Sequence, residues 1–418
     1  MAISANLGYP RFGPHRELKR SLENYWRGDI DVDSLRKECS DIRRQNWLIQ
    51  QAAGIQQIPS NDFSMYDHVL DTAVMVGAIP GRYGWEGGTV DLDTYFAMAR
   101  GKQTDDENIE AMEMTKWFDT NYHYIVPEFT KDQNFQLDSS RLVNQIHEAK
   151  NHNIQPVPVI LGPISFLLLG KTMDDHFHPL DLLENLTGVY IDLLHDLENA
   201  GATWIQIDEP FLVTDLSKKA QIAFRTVYSK LGNISQTLKI KLATYFVELG
   251  DNLEITTSLP VDALHIDLVR APGQLSSVLN AIPAEMQLSL GIVDGRNVWK
   301  TDFQNVFENL IAPARDALGT DRLLIAPSSS LMFSPVDLEL EENLDSDLTQ
   351  WLAFAKQKLD EITVLTRAAN NGMDAVREEF DRNTDAIKAR RQSKKIHNDA
   401  VNSRMKTISA EMVTRNSE

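Results

Sequence analysis

A single cysteine, Cys39, is all the thiol this 418-residue sequence contains. An intramolecular disulfide is therefore excluded, and so is a metal site built on two thiolates. Positive charge is also scarce: 41 Lys and Arg against 60 Asp and Glu give a formal net charge of −19 and a pI near 5.0. That average field repels a phosphate backbone, so nucleic acid is not an expected partner. There is no internal repeat and no low-complexity segment. No early apolar run forms a signal peptide, because Asn6, Arg11 and Arg16 interrupt it. The longest uncharged stretch, residues 153–170, contains Pro156, Pro158 and Pro163. These prolines suit a buried strand, a turn and a short helix, and they argue against a membrane span. A cytoplasmic protein is the reading, and the sequons at Asn185 and Asn233 are then incidental.

What the sequence does have is enough apolar material for a large core, 42% hydrophobic with 24% charged residues. Eight short apolar runs read as buried parallel strands: residues 3–7, 55–58, 156–161, 204–207, 240–245, 263–268, 287–292 and 323–326. Helical stretches follow most of them. Residues 184–199 are expected to be helical, with Gly201 as a stop signal, and so are 303–318, entered from Thr301 and Asp302 and ended by Gly319. A long helix is expected within 336–371 and another over 384–395. Strands and helices in alternation predict an α/β fold, a single (β/α)8 barrel of the TIM type over residues 1–400. The distance between the second and third strands predicts a long helical insertion over about 62–150, with a glycine-rich loop at 81–88. Residues 401–418 lose apolar periodicity and read as a tail, or as the start of a linker to a further barrel.

Polar residues gather where the apolar runs stop, as they do on the site-bearing face of a barrel. Gly170-Lys171-Thr172 has the ending of a phosphate-binding loop, but Ser165 stands where that loop needs glycine. His176 and His178 beside Asp174 and Asp175 have metal-like composition without a separated third ligand. Glu209, in Asp208-Glu209-Pro210, could act with Asp294 as the two carboxylates of a glycoside hydrolase. The plainer alternative is a structural carboxylate that caps loop amides. The basic run 388–395 reads as a solvated helix face or a contact for another domain.

The N-terminal Arg16, Lys19 and Arg20 are more telling. They fall three and four apart on one face of a helix expected to begin near Pro14. Cations there oppose the helix dipole, whereas a bound anion gains from both the cations and the free amides. With Lys116 about a hundred residues on, they suit a ligand carrying several carboxylates. A solvated basic helix start is the alternative, and a non-catalytic module binding a partner domain is a further one.

Taken in order, several motifs resemble the N-terminal half of cobalamin-independent methionine synthase. They are Leu7-Gly8-Tyr9-Pro10-Arg11, Arg16-Glu17-Leu18-Lys19, the run 63–70, Glu113-Met114-Thr115-Lys116-Trp117-Phe118, Asn121-Tyr122-His123-Tyr124, Gln206-Ile207-Asp208-Glu209-Pro210, Gly295-Arg296-Asn297-Val298-Trp299 and Ala389-Arg390-Arg391. The resemblance spans essentially the whole sequence. It implies two face-to-face barrels in the complete enzyme and methyl transfer from 5-methyltetrahydropteroyltri-L-glutamate to L-homocysteine. Zinc and the catalytic residues would belong to the C-terminal barrel, which is not in this sequence. The resemblance further implies that Arg16, Glu17, Leu18, Lys19 and Lys116 contact the folate polyglutamate. No catalytic residue, metal or cofactor is expected in this chain, which alone is expected to be inactive. Its expected partners are the folate and the C-terminal barrel, in an expressed fragment or a natural single-barrel relative.

Overall fold

The computed structural model describes residues 1–103 and 108–414. Eight strands form one parallel sheet: β1 (Ile3–Ser4), β2 (Ile58–Ser60), β3 (Pro156–Leu161), β4 (Trp204–Asp208), β5 (Lys239–Ala243), β6 (Ala263–Asp267), β7 (Gln287–Val293) and β8 (Leu323–Pro327). Their order is β1-β8-β7-β6-β5-β4-β3-β2, so each strand lies beside its neighbour in sequence. A parallel bridge between Ala5 and Gln57 also joins the two ends of that order. There the Asn6 N–H donates to Gln57 O at 3.0 Å and the Gln57 N–H to Ser4 O at 3.0 Å. All eight expected strands are present, shifted by at most a few residues.

Side chains alternate across each strand. Ile205, Ile207, Leu242, Leu264, Ile266, Leu288 and Leu290 join the main core with helix residues such as Tyr190, Phe224, Ile311 and Leu365. The alternate positions are polar yet buried: Gln206, Lys241, His265 and Ser289. Lys241 Nζ donates to Gln57 Oε1 at 3.1 Å, and His265 Nδ1 lies 2.9 Å from Ser289 Oγ. Burial lowers the Lys241 pKa from 10.5 to about 8, partly offset by the charge of Asp208. Between about pH 8 and 10.5 the unfolded chain therefore holds a proton that the folded chain has released. Wild-type stability is expected to rise across that window relative to Lys241→Met, by up to about 1.4 kcal/mol per pH unit. Urea unfolding of both proteins at pH 7.5 and 9.5 checks it.

Helices follow the strands. Leu183–Asn199 ends before Gly201, whose φ of 84° supplies the expected stop. The stretch 303–318 is helical but not uniform. Phe303–Val306 passes through a π-helical turn at Phe307–Ile311 into Ala312–Leu318. Pro313 lacks the N–H that an α-helix needs there, and the widened turn precedes it.

Three helix boundaries differ from expectation. The N-terminal helix is Glu17–Arg27, so Pro14 lies outside it and Arg16 is its N-cap. The long helix expected within 336–371 occupies its second half, Ala355–Asn371. Ahead of it, Asp337 and Asp345 accept the Glu339 and Asp347 N–H groups and hold short turns instead. The helix expected over 384–395 starts and ends earlier, as Arg377–Gln392.

Between β2 and β3 lie His68–Met75, Leu92–Arg100, Ser140–Lys150 and an antiparallel hairpin, Met114–Lys116 with His123–Ile125. The uncharged stretch 153–170 is β3, a turn at Gly162 and the helix Pro163–Leu169. No helix among the described residues is long and apolar enough to cross a membrane. Of the expected tail, Asp399–Lys406 and Ala410–Val413 are helical and exposed, and residues 415–418 lie outside the described residues.

Candidate functional site

The basic N-terminal segment is shaped by a reversal. Gly13 has φ 75° and Arg16 φ 62°, so the chain turns twice before the helix. The Arg16 N–H donates to Gly13 O and the Leu18 N–H to Phe12 O. The Glu17 carboxylate accepts the His15 N–H at 3.0 Å. The positive φ of Gly13 favours glycine, and a Cβ there would displace the Glu17 carboxylate, which lies 2.2 Å from its position.

Leu18 is fully buried in a second core with Leu22, Leu35 and Phe96. It anchors the segment while Arg16, Lys19 and Arg20 stay exposed. Arg16 and Lys19 line a cleft of about 430 Å³ together with Phe12, Pro335, Asp337 and Glu341. Asp337 is already engaged by Lys356 at 2.9 Å and Gln357 at 2.7 Å. Lys19 has only a 3.8 Å contact with Glu23, both side chains about half exposed, an interaction worth little in water.

Lys116 sits on the hairpin, in register with His123, and is exposed. The next residue, Trp117, is buried and packs edge-on against His68, with ring centroids 4.4 Å apart. Asp67 fastens this hairpin to the helix His68–Met75. It accepts the Val69, Leu70 and Ile125 N–H groups at 3.2, 2.8 and 2.9 Å and the Tyr122 hydroxyl at 3.3 Å. Lys116 does not line the Arg16–Lys19 cleft. The two regions are linked through Met332, which borders that cleft and also a cavity of about 60 Å³ where Trp117 and Tyr122 meet the ends of β3 and β4.

Asp208 lines this smaller cavity, held by Gln206 Nε2 at 2.8 Å and the Tyr245 hydroxyl at 3.0 Å. Burial raises its pKa to about 6. Glu209 does not line it. Glu209 is fully buried and accepts the Ser165 N–H at 2.8 Å, the Ile164 N–H at 3.3 Å and the Tyr228 hydroxyl at 3.3 Å. It caps the helix Pro163–Leu169, so the glycoside hydrolase pairing with Asp294 is corrected: the structural role fits. Asp294 turns to its own loop, accepting the Arg296 N–H at 2.8 Å.

The other motifs resolve locally. Lys171 lies in a two-residue strand beside Glu128–Phe129 and pairs with Glu113 and Glu128, at 3.1 and 3.7 Å. His178 accepts the Leu180 N–H at 3.2 Å, capping a turn. In the basic run, Arg391 reaches Asp302 and Lys395 reaches Asp345 and Asp347. Among the described residues no group of three or more His, Cys, Asp or Glu could hold a metal ion. Cys39 is buried, and burial pushes its thiol up to about 12.

The family model described as cobalamin-independent synthase, N-terminal domain, matches residues 3–316. A 5-methyltetrahydropteroyltriglutamate–homocysteine methyltransferase of Xylella fastidiosa (strain M23) is 50% identical over 419 residues, covering 100% of this chain and 54% of its own length. Its counterpart in Salinibacter ruber is 47% identical over 423 residues, covering 100% of this chain and 55% of its own. The chain thus spans about half the length of these relatives. Among solved structures, the putative vitamin-B12 independent methionine synthase of Listeria monocytogenes superposes with a TM-score of 0.59 at 12% identity, over 89% of this chain and 99% of its own. A B12-independent methionine synthase from Shewanella sp. W3-18-1, in complex with selenomethionine, gives 0.55 at 16%, over 91% and 98%. At such identities these two show a shared fold.

Proposed function

This chain belongs to the cobalamin-independent synthase N-terminal domain family, and we propose that it is the half of a cytoplasmic methionine synthase that grips the polyglutamate tail of 5-methyltetrahydropteroyltri-L-glutamate. The identity of 50% with a methyltransferase over the full chain carries this reading. The complete enzyme passes the methyl group to L-homocysteine, and a C-terminal barrel joined to or docked on this chain supplies the homocysteine site. Zinc would act by making the homocysteine thiol a thiolate. The described residues do not fit zinc: they offer no donor cluster, and their one thiol is buried. What this chain does is bind and orient.

In this reading residues 1–400 form one closed (β/α)8 barrel, which the bridge from Ala5 to Gln57 supports. Residues 62–150 are its insertion and 401–418 lead toward the second barrel. Arg16 and Lys19 meet carboxylates of the tail in their cleft, Glu17 and Leu18 hold the turn that presents them, and Lys116 meets a further carboxylate. Exposed ammonium and guanidinium groups pair with carboxylates without a large desolvation cost.

The test is Lys19→Ala combined with Lys116→Ala in the full enzyme. Binding of the triglutamate form is expected to weaken about tenfold or more, equivalent to ~1.4 kcal/mol, and the monoglutamate form far less. Equal losses for both forms would show that these lysines do not read the tail.

A further inference from the structure

The cavity of about 60 Å³ at the strand ends contains a cation with no counter-charge of its own. Arg11 is only 9% exposed. Its guanidinium lies over the rings of Phe12 and Tyr122, 5.1 and 5.6 Å from their centroids. Nη1 donates to Ser64 O at 3.1 Å, while Nε is buried without a partner. No carboxylate among the described residues pairs with it.

The carboxylates that line the same cavity are already answered. Asp71 is bound by Arg141, Asp208 is favoured by the charge of Lys241 as well as its two hydrogen bonds, and Asp62 accepts the Tyr9 N–H at 2.8 Å. Arg11 is the group left over. Leaving a buried cation without a counter-charge is costly, and a guanidinium is a planar fork suited to gripping a carboxylate.

We propose that this cavity is a binding site for a small carboxylate, held by the Arg11 guanidinium and bordered by His68 and Tyr122. The site is separate from the Arg16–Lys19 cleft, with Met332 between them. A site that holds one water needs at least ~10–15 Å³ of such space, so this one admits a carboxylate group with a carbon or two but no bulky acid. The occupant is a free one- or two-carbon acid, or the end of a longer acid reaching in.

The test uses the whole chain with its histidines labelled, and follows the His68 ring by NMR during titration with formate, acetate and glutarate. Chloride at matched ionic strength is the control. Formate is expected to shift the His68 signal saturably, and Arg11→Gln to weaken that response at least tenfold. Arg11→Lys keeps the charge but loses the fork, and is expected to weaken it at least fivefold. It carries the comparison if Arg11→Gln does not fold. Binding of formate and acetate alone supports a free acid, and equal binding of glutarate supports a carboxylate arm. Shifts reproduced by chloride, or an unchanged midpoint in the Arg11 variants, would overturn the proposal.

Discussion

Glu209→Leu is expected to destabilise the protein by about 3–5 kcal/mol, because it removes the acceptor from three buried donors at once. The Ser165 and Ile164 N–H groups and the Tyr228 hydroxyl all end on this carboxylate. No water replaces it, since the site is fully buried and Gly162 stands so close that a Cβ there would lie 2.1 Å from Glu209 Cδ. Glu209→Gln keeps one acceptor oxygen and is expected to cost only about 1 kcal/mol at neutral pH.

The two variants also differ in pH dependence. Burial raises the Glu209 pKa from 4.5 to about 7, so between those pH values the folded wild type holds a proton that the unfolded chain has lost. That stabilisation is fully present below about pH 4.5 and is lost as pH rises through about 7. Glutamine does not titrate, so the gap between wild type and Glu209→Gln narrows from pH 5 to 8. Urea unfolding at both pH values reads it. A Glu209→Leu protein as stable as wild type would refute the capping role.

Asp67→Ala is expected to cost about 3 kcal/mol and to act on function as well. This carboxylate joins the first turn of the helix His68–Met75 to the Ile125 N–H, and so fixes the hairpin that presents Lys116. The Tyr122 hydroxyl is a fourth donor to it. Removing it leaves those donors unpaired and frees the hairpin from its anchor. On the proposed function, affinity for the triglutamate folate falls toward that of the Lys116→Ala protein, with the monoglutamate form little changed. Asp67→Asn is expected to cost about 1 kcal/mol and to restore most of the binding. Hydrogen exchange of the Ile125 amide gives a direct readout of the anchor, and slow exchange retained in Asp67→Ala would contradict this account.

The strands were legible because an apolar run such as Pro156–Leu161 is short, rich in β-branched residues and bounded by Gly162 and Pro163, which favours a strand over a buried helix. Their second face was not. Lys241 and His265 lie within otherwise apolar runs, and only the curled sheet reveals that they lie on one buried face of adjacent strands. The helix expected from Pro14 was misplaced because Gly13 and Arg16 adopt positive φ, a choice made by the turn and not by helix propensity. The helix expected within 336–371 begins only at Ala355, because Asp337 and Asp345 hold the backbone ahead of it in turns.

At the candidate site, the spacing of Arg16 and Lys19 predicted a shared surface, and both line one cleft. Lys116 could be linked to them only by resemblance, since nothing local in a hairpin says what it faces. The Glu209 cap and the link from Asp67 to the hairpin depend on amides 44 and 58 residues away in sequence, beyond the reach of any local pattern. The unpaired state of Arg11 is visible only once every neighbouring carboxylate has been assigned a partner.

The most direct test of the central claim is methyl transfer from 5-methyltetrahydropteroyltriglutamate to homocysteine by a zinc-loaded C-terminal barrel, with and without this chain. The account predicts no transfer by either half alone and transfer in the mixture, favouring the triglutamate over the monoglutamate form. Equal rates from the C-terminal barrel with and without this chain, or no preference for the triglutamate form in the mixture, would contradict it.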